Sequence, residues 1–395
     1  MISKNVEYLV GSLNFIKKPC LPFRQLDIDF LSELSKYLSK KKSAKDYPDI
    51  KSFSFWCRKQ NIERIKNLSQ NKEFRIGLGL VFHVTPSNIP TNFAYSLCFG
   101  LLNGNSNIVK VPSKKFEQIK IICDSIKEII KKKKFFSLSK RITIIRYSSN
   151  DDLTKKISEK CDVRLIWGGE KTIKEIRKFT IPERSIDIAF TDRYSFCVVN
   201  SSMLLKLKSF EFKMLIEKFY NDTFLVDQNA CSSPHLIIWT GSNVEKAKKI
   251  FWENLHKYSI KKYDQPMIAS IDKYTNLLNK ILLLKNIKQC KNFGNLIYTI
   301  NLKKLLTENH TLRGKWGFFY EYTTNDLNKI SKIINKKYQT LTYFGFKPNY
   351  FHKFIKKNNL NGIDRIVPIG QALNIGFTWD GYDLNKTLSR IVEIR

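Results

Sequence analysis

Between Ile76 and Phe190 the chain alternates short apolar runs with amphipathic stretches, and that alternation leaves few folds open. Residues 76–84 read as one buried strand, Asn92–Leu102 as an apolar helix, 107–111 as a strand and 116–132 as an amphipathic helix. Residues 142–147, Val163–Trp167 and Ile186–Phe190 read as further strands. A dense apolar run such as 76–84 is what a buried strand requires. Strands separated by helices at this spacing predict a parallel, doubly wound α/β sheet. After Thr191 a second α/β domain is expected, with strands at 195–199, 236–239 and 341–346 and a helix at 210–220. A further helix is expected at 327–338, where Leu327, Ile330, Ile333 and Ile334 share one face. The first seventy residues read as peripheral helices.

With 395 residues the chain is long enough for two domains. No apolar run approaches the roughly 18 residues of a membrane span, and Met1-Ile2-Ser3-Lys4-Asn5 opens no signal-peptide core. A cytoplasmic protein without a membrane span is expected. The eight cysteines form no CxxC pair and the five histidines are scattered, so neither a disulfide framework nor a metal site is expected. The net charge of +34 admits three readings. It is a compositional bias toward lysine on a solvated surface, a nucleic-acid or membrane-surface patch, or attraction for anionic ligands such as a phosphorylated cofactor, coenzyme A or an acidic carrier. No familiar nucleic-acid motif accompanies it.

Four segments carry candidate chemistry. Val84-Thr85-Pro86-Ser87-Asn88-Ile89-Pro90 lies where a buried strand gives way to a helix, at the strand end where ligands gather in such sheets. The prolines stiffen the backbone around Asn88, whose carboxamide reads either as an oxyanion donor or as a helix cap. Lys110 ends the next strand, on the same sheet edge, and reads as a ribose or phosphate ligand or as a plain surface lysine. Gly168 and Gly169 sit between a strand and a helix, where a ligand can approach the backbone; many tight turns look alike. Asp227-Gln228-Asn229-Ala230-Cys231-Ser232-Ser233-Pro234 is a polar loop. Most other cysteines lie in apolar runs and read as packing residues, whereas Cys231 lies among small polar residues with backbone amides nearby and reads either as a nucleophile or as an ordinary loop cysteine.

Together, in this order, the four segments resemble the aldehyde dehydrogenase superfamily. Asn88 matches the oxyanion amide of a Pro-x-Asn-x-Pro segment, Lys110 the adenosine-ribose lysine, Gly168 and Gly169 the pyrophosphate turn, and Cys231 the nucleophile. Residues 79–113, Trp167-Gly168-Gly169-Glu170, Ala230-Cys231-Ser232-Ser233-Pro234, Arg365-Ile366-Val367-Pro368-Ile369-Gly370 and Trp379-Asp380-Gly381-Tyr382 resemble the acyl-CoA reductases of bacterial bioluminescence operons more closely. The resemblance runs from about Phe74 to the end of the chain. It implies an aldehyde-dehydrogenase-like fold: a Rossmann-type cofactor domain with N-terminal helices over 1–192, a catalytic domain over 193–360, and a C-terminal segment, 361–395, returning to the cofactor domain or to a subunit interface. It further implies reduction of an acyl-CoA or acyl-carrier-protein thioester to an aldehyde through an acyl-cysteine. An acyl-activating partner enzyme and a homo-oligomer belong to the same picture, with residues 391–394 expected as a strand that joins subunits.

Three departures refine these expectations. Oxidising relatives carry a glutamate base in a Glu-Leu-Gly-Gly-Lys stretch; here Phe190-Thr191-Asp192-Arg193 stands instead, and Phe190 cannot activate water. Many NAD-using relatives place a glutamate three residues after the ribose lysine; here Ser113 is followed by Lys114 and Lys115, which implies NADPH. The nicotinamide-ribose glutamate of a Glu-x-Phe-Gly-Pro stretch has no match near Gly314-Lys315-Trp316-Gly317. An oxidising aldehyde dehydrogenase and an acyl-phosphate reductase stay open as alternatives on the same fold, and a basic nucleic-acid binder as a distant one.

Overall fold

A computed structural model describes residues 6–69, 73–148 and 151–395. The chain divides into two compact units, one of Met1–Asp192 with Ile375–Arg395 and one of Arg193–Asn374.

Up to residue 192 the strands of the first unit are β1 (Glu7–Val10), β2 (Arg75–Gly77), β3 (Leu80–Val84), β4 (Ser106–Val111), β5 (Ile142–Arg146), β6 (Val163–Trp167) and β7 (Ile186–Phe190). Among the described residues its main sheet runs β1-β5-β4-β3-β6-β7, parallel except for β1. From β3 the chain steps outward through β4 and β5 on one side and through β6 and β7 on the other. That reversal is the switch point at which such sheets open a crevice beyond their carboxyl ends. Its helices over the same stretch are α1 (Gln25–Lys40), α2 (Pro48–Trp56), α3 (Lys59–Leu68), α4 (Asn92–Leu102), α5 (Glu117–Ile130), α6 (Asp151–Ser158) and α7 (Glu170–Arg177); the C-terminal segment adds the short strands Thr378–Trp379, Tyr382–Asp383 and Ser389–Ile391 and the helical turn Leu384–Thr387.

Three expectations change here. Residues 76–84 form two strands, not one. Gly79 takes a φ of +135°, and the N–H groups of Leu78 and Gly79 donate to Asn105 Oδ1 at 2.7 and 3.0 Å, so the chain breaks before β3. The freed β2 pairs antiparallel with Ser389–Ile391. The strand expected at 391–394 to join subunits therefore forms slightly earlier and pairs within its own unit. The N-terminal helices are not peripheral either: Phe30, Leu34, Phe53, Trp56 and Ile62 lie in the same buried cluster as Leu97, Phe99 and Ile122.

The strands of the second unit are β8 (Tyr194–Asn200), β9 (Pro234–Thr240), β10 (Ile287–Phe293), β11 (Ile297–Leu302), β12 (Phe318–Thr323), β13 (Tyr338–Phe344) and β14 (Arg365–Pro368). Among the described residues they run β10-β11-β12-β9-β8-β13-β14, parallel except for β10 with β11. Its helices are α8 (Ser201–Leu204), α9 (Ser209–Thr223), α10 (Val244–Lys262), α11 (Met267–Leu283), α12 (Asn328–Ser331) and α13 (Pro348–Asn358). The helix expected at 327–338 is only α12. It ends at Ser331; further on, Asn335 Oδ1 accepts the Lys337 N–H at 2.9 Å in a turn, and Tyr338 opens β13. Leu327, Ile330, Ile333 and Ile334 are nonetheless all buried. The break expected after residue 360 falls inside this unit, because β14 pairs in parallel with β13, Thr340 opposite Arg365.

Candidate active site

In the second unit the loop between α9 and β9 is held rigidly. After one 3-10 turn, Phe224–Val226, both Asp227 and Gln228 take left-handed conformations with φ of 52° and 60°. Residues without glycine's freedom persist there only when neighbours hold them. Gln228 is fully buried and supplies that hold. Its Nε2 donates to the carbonyls of Pro234 and Phe318, both at 3.1 Å, and its Oε1 accepts the N–H groups of Gly317 and Phe318 at 3.1 and 3.2 Å. The Trp316 N–H adds a bond to the Asp227 carbonyl at 3.2 Å. The Gly314–Gly317 turn, where the sequence lacks an acid, thus serves to clasp this loop.

Cys231 follows three residues later and is half-buried. Its carbonyl accepts Ser195 Oγ at 2.6 Å, and that oxygen in turn accepts the Thr340 N–H at 3.1 Å. Ser195 is the second residue of β8 and Thr340 the third of β13, so the loop is tied to the amino ends of two parallel strands. The thiol sulfur accepts Gln339 Nε2 at 3.3 Å. A donor aimed at sulfur favours the thiolate, because hydrogen bonds to an ion are the stronger ones. Replacing Gln339 by Leu is expected to slow alkylation of Cys231 by iodoacetamide at neutral pH about tenfold, read as loss of free thiol with time. Neither Gln339 nor Ser195 stands out in the sequence; only the parallel pairing of β8 with β13 brings them to Cys231.

His235, four residues on, is stacked on Tyr194 with its Nδ1 accepting the Gly314 N–H at 3.3 Å. Burial, with Arg313 nearby, pushes its pKa down to about 3, so the ring is neutral. Cys57, Cys98, Cys123, Cys161 and Cys197 are buried, and burial pushes the thiols of Cys161 and Cys197 up to about 12. Cys20 and Cys290 are half-buried like Cys231.

Asp222 anchors the same region from α9. Its carbonyl accepts Ser233 Oγ at 2.7 Å, and its carboxylate accepts the N–H groups of Gly370 and Ala372 at 2.6 and 2.9 Å. Burial pushes its pKa up to about 7, against the pull of those two bonds and of Arg365. The unfolded carboxyl titrates near 3.8, so between about 4 and about 7 the folded chain binds more protons at this site than the unfolded one. The contribution of Asp222 to stability therefore falls as pH rises through that window. Asp222→Asn is expected to flatten that dependence in thermal melts. It also costs about 1–3 kcal/mol, because an amide NH₂ then faces a backbone donor.

In the first unit the remaining candidates gather at the carboxyl edge of the sheet. Val84, Lys110 and Ile166 are register neighbours at the ends of β3, β4 and β6. Asn88 lies in the exposed loop beyond β3. The N-cap position of α4 is Thr91, three residues further on. Lys110 is half-buried, with its ammonium 4.8 Å from the Tyr147 ring centroid, and burial lowers its pKa. Ser113, Lys114 and Lys115 are exposed just past β4, and no acid stands among them. Gly169 caps α7 with φ of −70°, and a Cβ built there meets nothing within 4 Å. Neither backbone strain nor packing demands glycine at that point; the open space beyond it suits close approach of a ligand. Glu170, in the first helical turn, is the one feature here unfavourable to a phosphate. The set of ammonium groups, hydroxyl and bare backbone fits the phosphates and ribose of a nicotinamide dinucleotide.

At the end of β7 Phe190 is buried, stacked on Trp167 with centroids 3.8 Å apart and 20° between planes. Tyr382 meets its ring edge-on at 5.7 Å, and Trp167 Nε1 donates to Ser96 Oγ at 2.9 Å.

These two units, with their parallel sheets, define the aldehyde dehydrogenase fold. Aldehyde dehydrogenase 21 of Physcomitrella patens superposes with a TM-score of 0.62 at 12% identity, covering 92% of this chain and 84% of that one. The 1-pyrroline-5-carboxylate dehydrogenase of Thermus thermophilus gives 0.60 at 11% identity, covering 93% and 80%. Within that fold the chain belongs to the acyl-CoA reductase (LuxC) family, whose model matches residues 55–292. The long-chain acyl-protein thioester reductase of Photorhabdus laumondii is 22% identical over 323 residues, 80% of this chain and 62% of that protein. Its counterpart in Aliivibrio fischeri is 19% identical over 333 residues, 80% and 63%. The chain thus spans less than two thirds of the length of these relatives.

Proposed function

We propose that this chain reduces a fatty acyl thioester, carried on coenzyme A or on an acyl-carrier protein, to the aldehyde through an acyl group held on Cys231. The observation that carries this reading is the Cys231 thiol itself, half-buried in a clasped loop and accepting the Gln339 amide. Family membership supports it, as do relatives named for acyl-protein thioester reduction. Cys231 Sγ attacks the thioester carbonyl; the new C–S bond forms as the bond to the carrier sulfur breaks. The carrier sulfur leaves with the proton that the cysteine thiol gave up. The Asn88 amide donates to the carbonyl oxygen as it gains charge. A reduced nicotinamide dinucleotide, when bound, supplies the hydride that turns the acyl thioester into an aldehyde. Lys110, Ser113 and the Gly168–Gly169 turn are the residues to hold its ribose and phosphates. Lys114 and Lys115 beside Ser113 favour a 2′-phosphate, hence NADPH. Phe190 offers no base to activate water, so the acyl group is kept for reduction rather than hydrolysed to the acid.

The test is intact-mass measurement after mixing the protein with short-, medium- and long-chain acyl-CoAs and no dinucleotide. One acyl adduct, discharged on adding NADPH, is the expected result, and the chain length that labels best identifies the substrate. An adduct that NADPH leaves in place while water removes it would point to the oxidising alternative. If no acyl-CoA or acyl-carrier thioester labels the chain, the thioester reading fails. Ser113→Glu combined with Lys114→Glu is expected to move the preference from NADPH toward NADH by about tenfold, in the ratio of kcat/KM values.

A further inference from the structure

Helix α11 is built inside out. Its inward face carries Ala269 and Lys273, both buried, with Leu277 packed against the core. Lys273 Nζ donates to Gln265 Oε1 at 2.9 Å, to the Leu296 carbonyl at 3.0 Å and to the Asn295 carbonyl. The helix is thus fastened to the β10–β11 turn largely by a polar anchor. Its outward face is the apolar one. Met267, Ile271, Tyr274, Leu278, Ile281 and Leu282 recur at helical spacing and are 44 to 91% exposed. Soluble chains rarely leave more than about a few hundred Å² of contiguous apolar surface in water, and larger patches mark interaction sites.

Charge at the two ends of this stripe narrows the choice of occupant. Lys261 and Lys262 end α10 just before it, Lys285 and Lys288 follow it, and all four are exposed; Lys280 is half-exposed on the helix. Asp264 and Asp272 are the acids of the stretch. Both ends are therefore basic, on a chain of net charge +34. Pairing α11 with its copy sets lysines against lysines whether the two helices run parallel or antiparallel. A surface bearing anionic headgroups over an apolar layer satisfies both stripe and lysines, and a convex helix face needs no concave receptor there. Among the described residues no helix is long and apolar enough to cross a membrane; α11, at 17 residues with Lys273 on its inner face, has the make-up of a helix lying in the interface.

We propose that α11 seats the protein on an anionic lipid bilayer, its Met267–Leu282 stripe entering the headgroup–acyl boundary and its flanking lysines meeting lipid phosphates. Such binding stands whether or not Cys231 carries an acyl group.

The experiment is vesicle flotation of the full chain with equal parts phosphatidylglycerol and phosphatidylcholine, and with phosphatidylcholine alone. The wild type is expected to float with the anionic vesicles. Ile271→Asp with Leu278→Asp, which keeps every lysine, is expected to lower the partition coefficient at least about tenfold. Both positions are exposed, so the thermal midpoint is expected to hold, and a variant melting with the wild type removes misfolding as an explanation. Lys261→Glu with Lys285→Glu is expected to weaken binding at low salt. Three results would overturn the proposal: no flotation of the wild type, equal flotation of the double aspartate variant, or a wild-type dimer that this variant splits while neither binds vesicles. The last would assign the stripe to a second copy of the chain.

Discussion

Cys231→Ala should lose turnover of acyl thioesters by a factor of about 10⁴ or more, with no acyl adduct in the intact mass. The size of the effect follows from the proposed role. Without Sγ no covalent step remains, and hydride transfer to a free thioester has neither the tether nor the leaving group. The carbonyl of residue 231 accepts Ser195 Oγ from the backbone, so the substitution leaves the loop's own anchoring intact. Melting temperature and dinucleotide binding should therefore match the wild type. Peptide mapping of the acylated wild type sharpens the test, because Cys20 also sits beside a donor, Arg141 Nη2 at 2.8 Å. An adduct on Cys20, or equal labelling of Cys231→Ala, would remove Cys231 from the mechanism.

Asn88→Ala should lower kcat by about 10²–10³ while leaving KM within a fewfold, because the amide is asked to stabilise charge that exists only as the carbonyl is attacked. The side chain is exposed, so a melting curve of the variant separates a loss of chemistry from a loss of stability. Single-turnover acylation followed by intact mass gives the cleanest reading. A matching drop in the rate of adduct formation supports the oxyanion role. An unchanged acylation rate with weakened dinucleotide binding would move Asn88 from the chemistry to the cofactor.

Much of the first unit was legible because its strands are buried on both faces. Val163–Trp167 and Ile186–Phe190 read as apolar runs, each interrupted by one charge, Arg164 and Asp187, which pair with each other, and they form strands with those bounds. Residues 76–84 are as apolar, and they hid a break, because what ends β2 is the amide of Asn105, distant in sequence. The stretch 327–338 misled for the opposite reason. Its apolar residues do share a core, but the helix stops at Ser331 and a turn closed by Asn335 leads the chain into β13. At the site, local sequence marks a loop through its small polar residues and marks Cys231 within it. It carries no trace of Gln339 or Ser195, whose roles exist only once β8 and β13 lie side by side. Gln228 sat in full view inside the quoted motif, yet its task, holding two left-handed residues and a distant turn, is a property of three segments at once.

That clasp bears on how the thiol meets electrophiles. Reactive cysteines in mobile loops often wait for a rare open form, and their modification then saturates with reagent concentration. Here the amide protons of Gly317 and Phe318 are tied to the side chain that fixes the loop, so loop and strand start should exchange with deuterium as one unit. A covalent ligand would face a surface already shaped for it. Its rate should rise in proportion to concentration, and its selectivity should rest on fit rather than on catching a fluctuation.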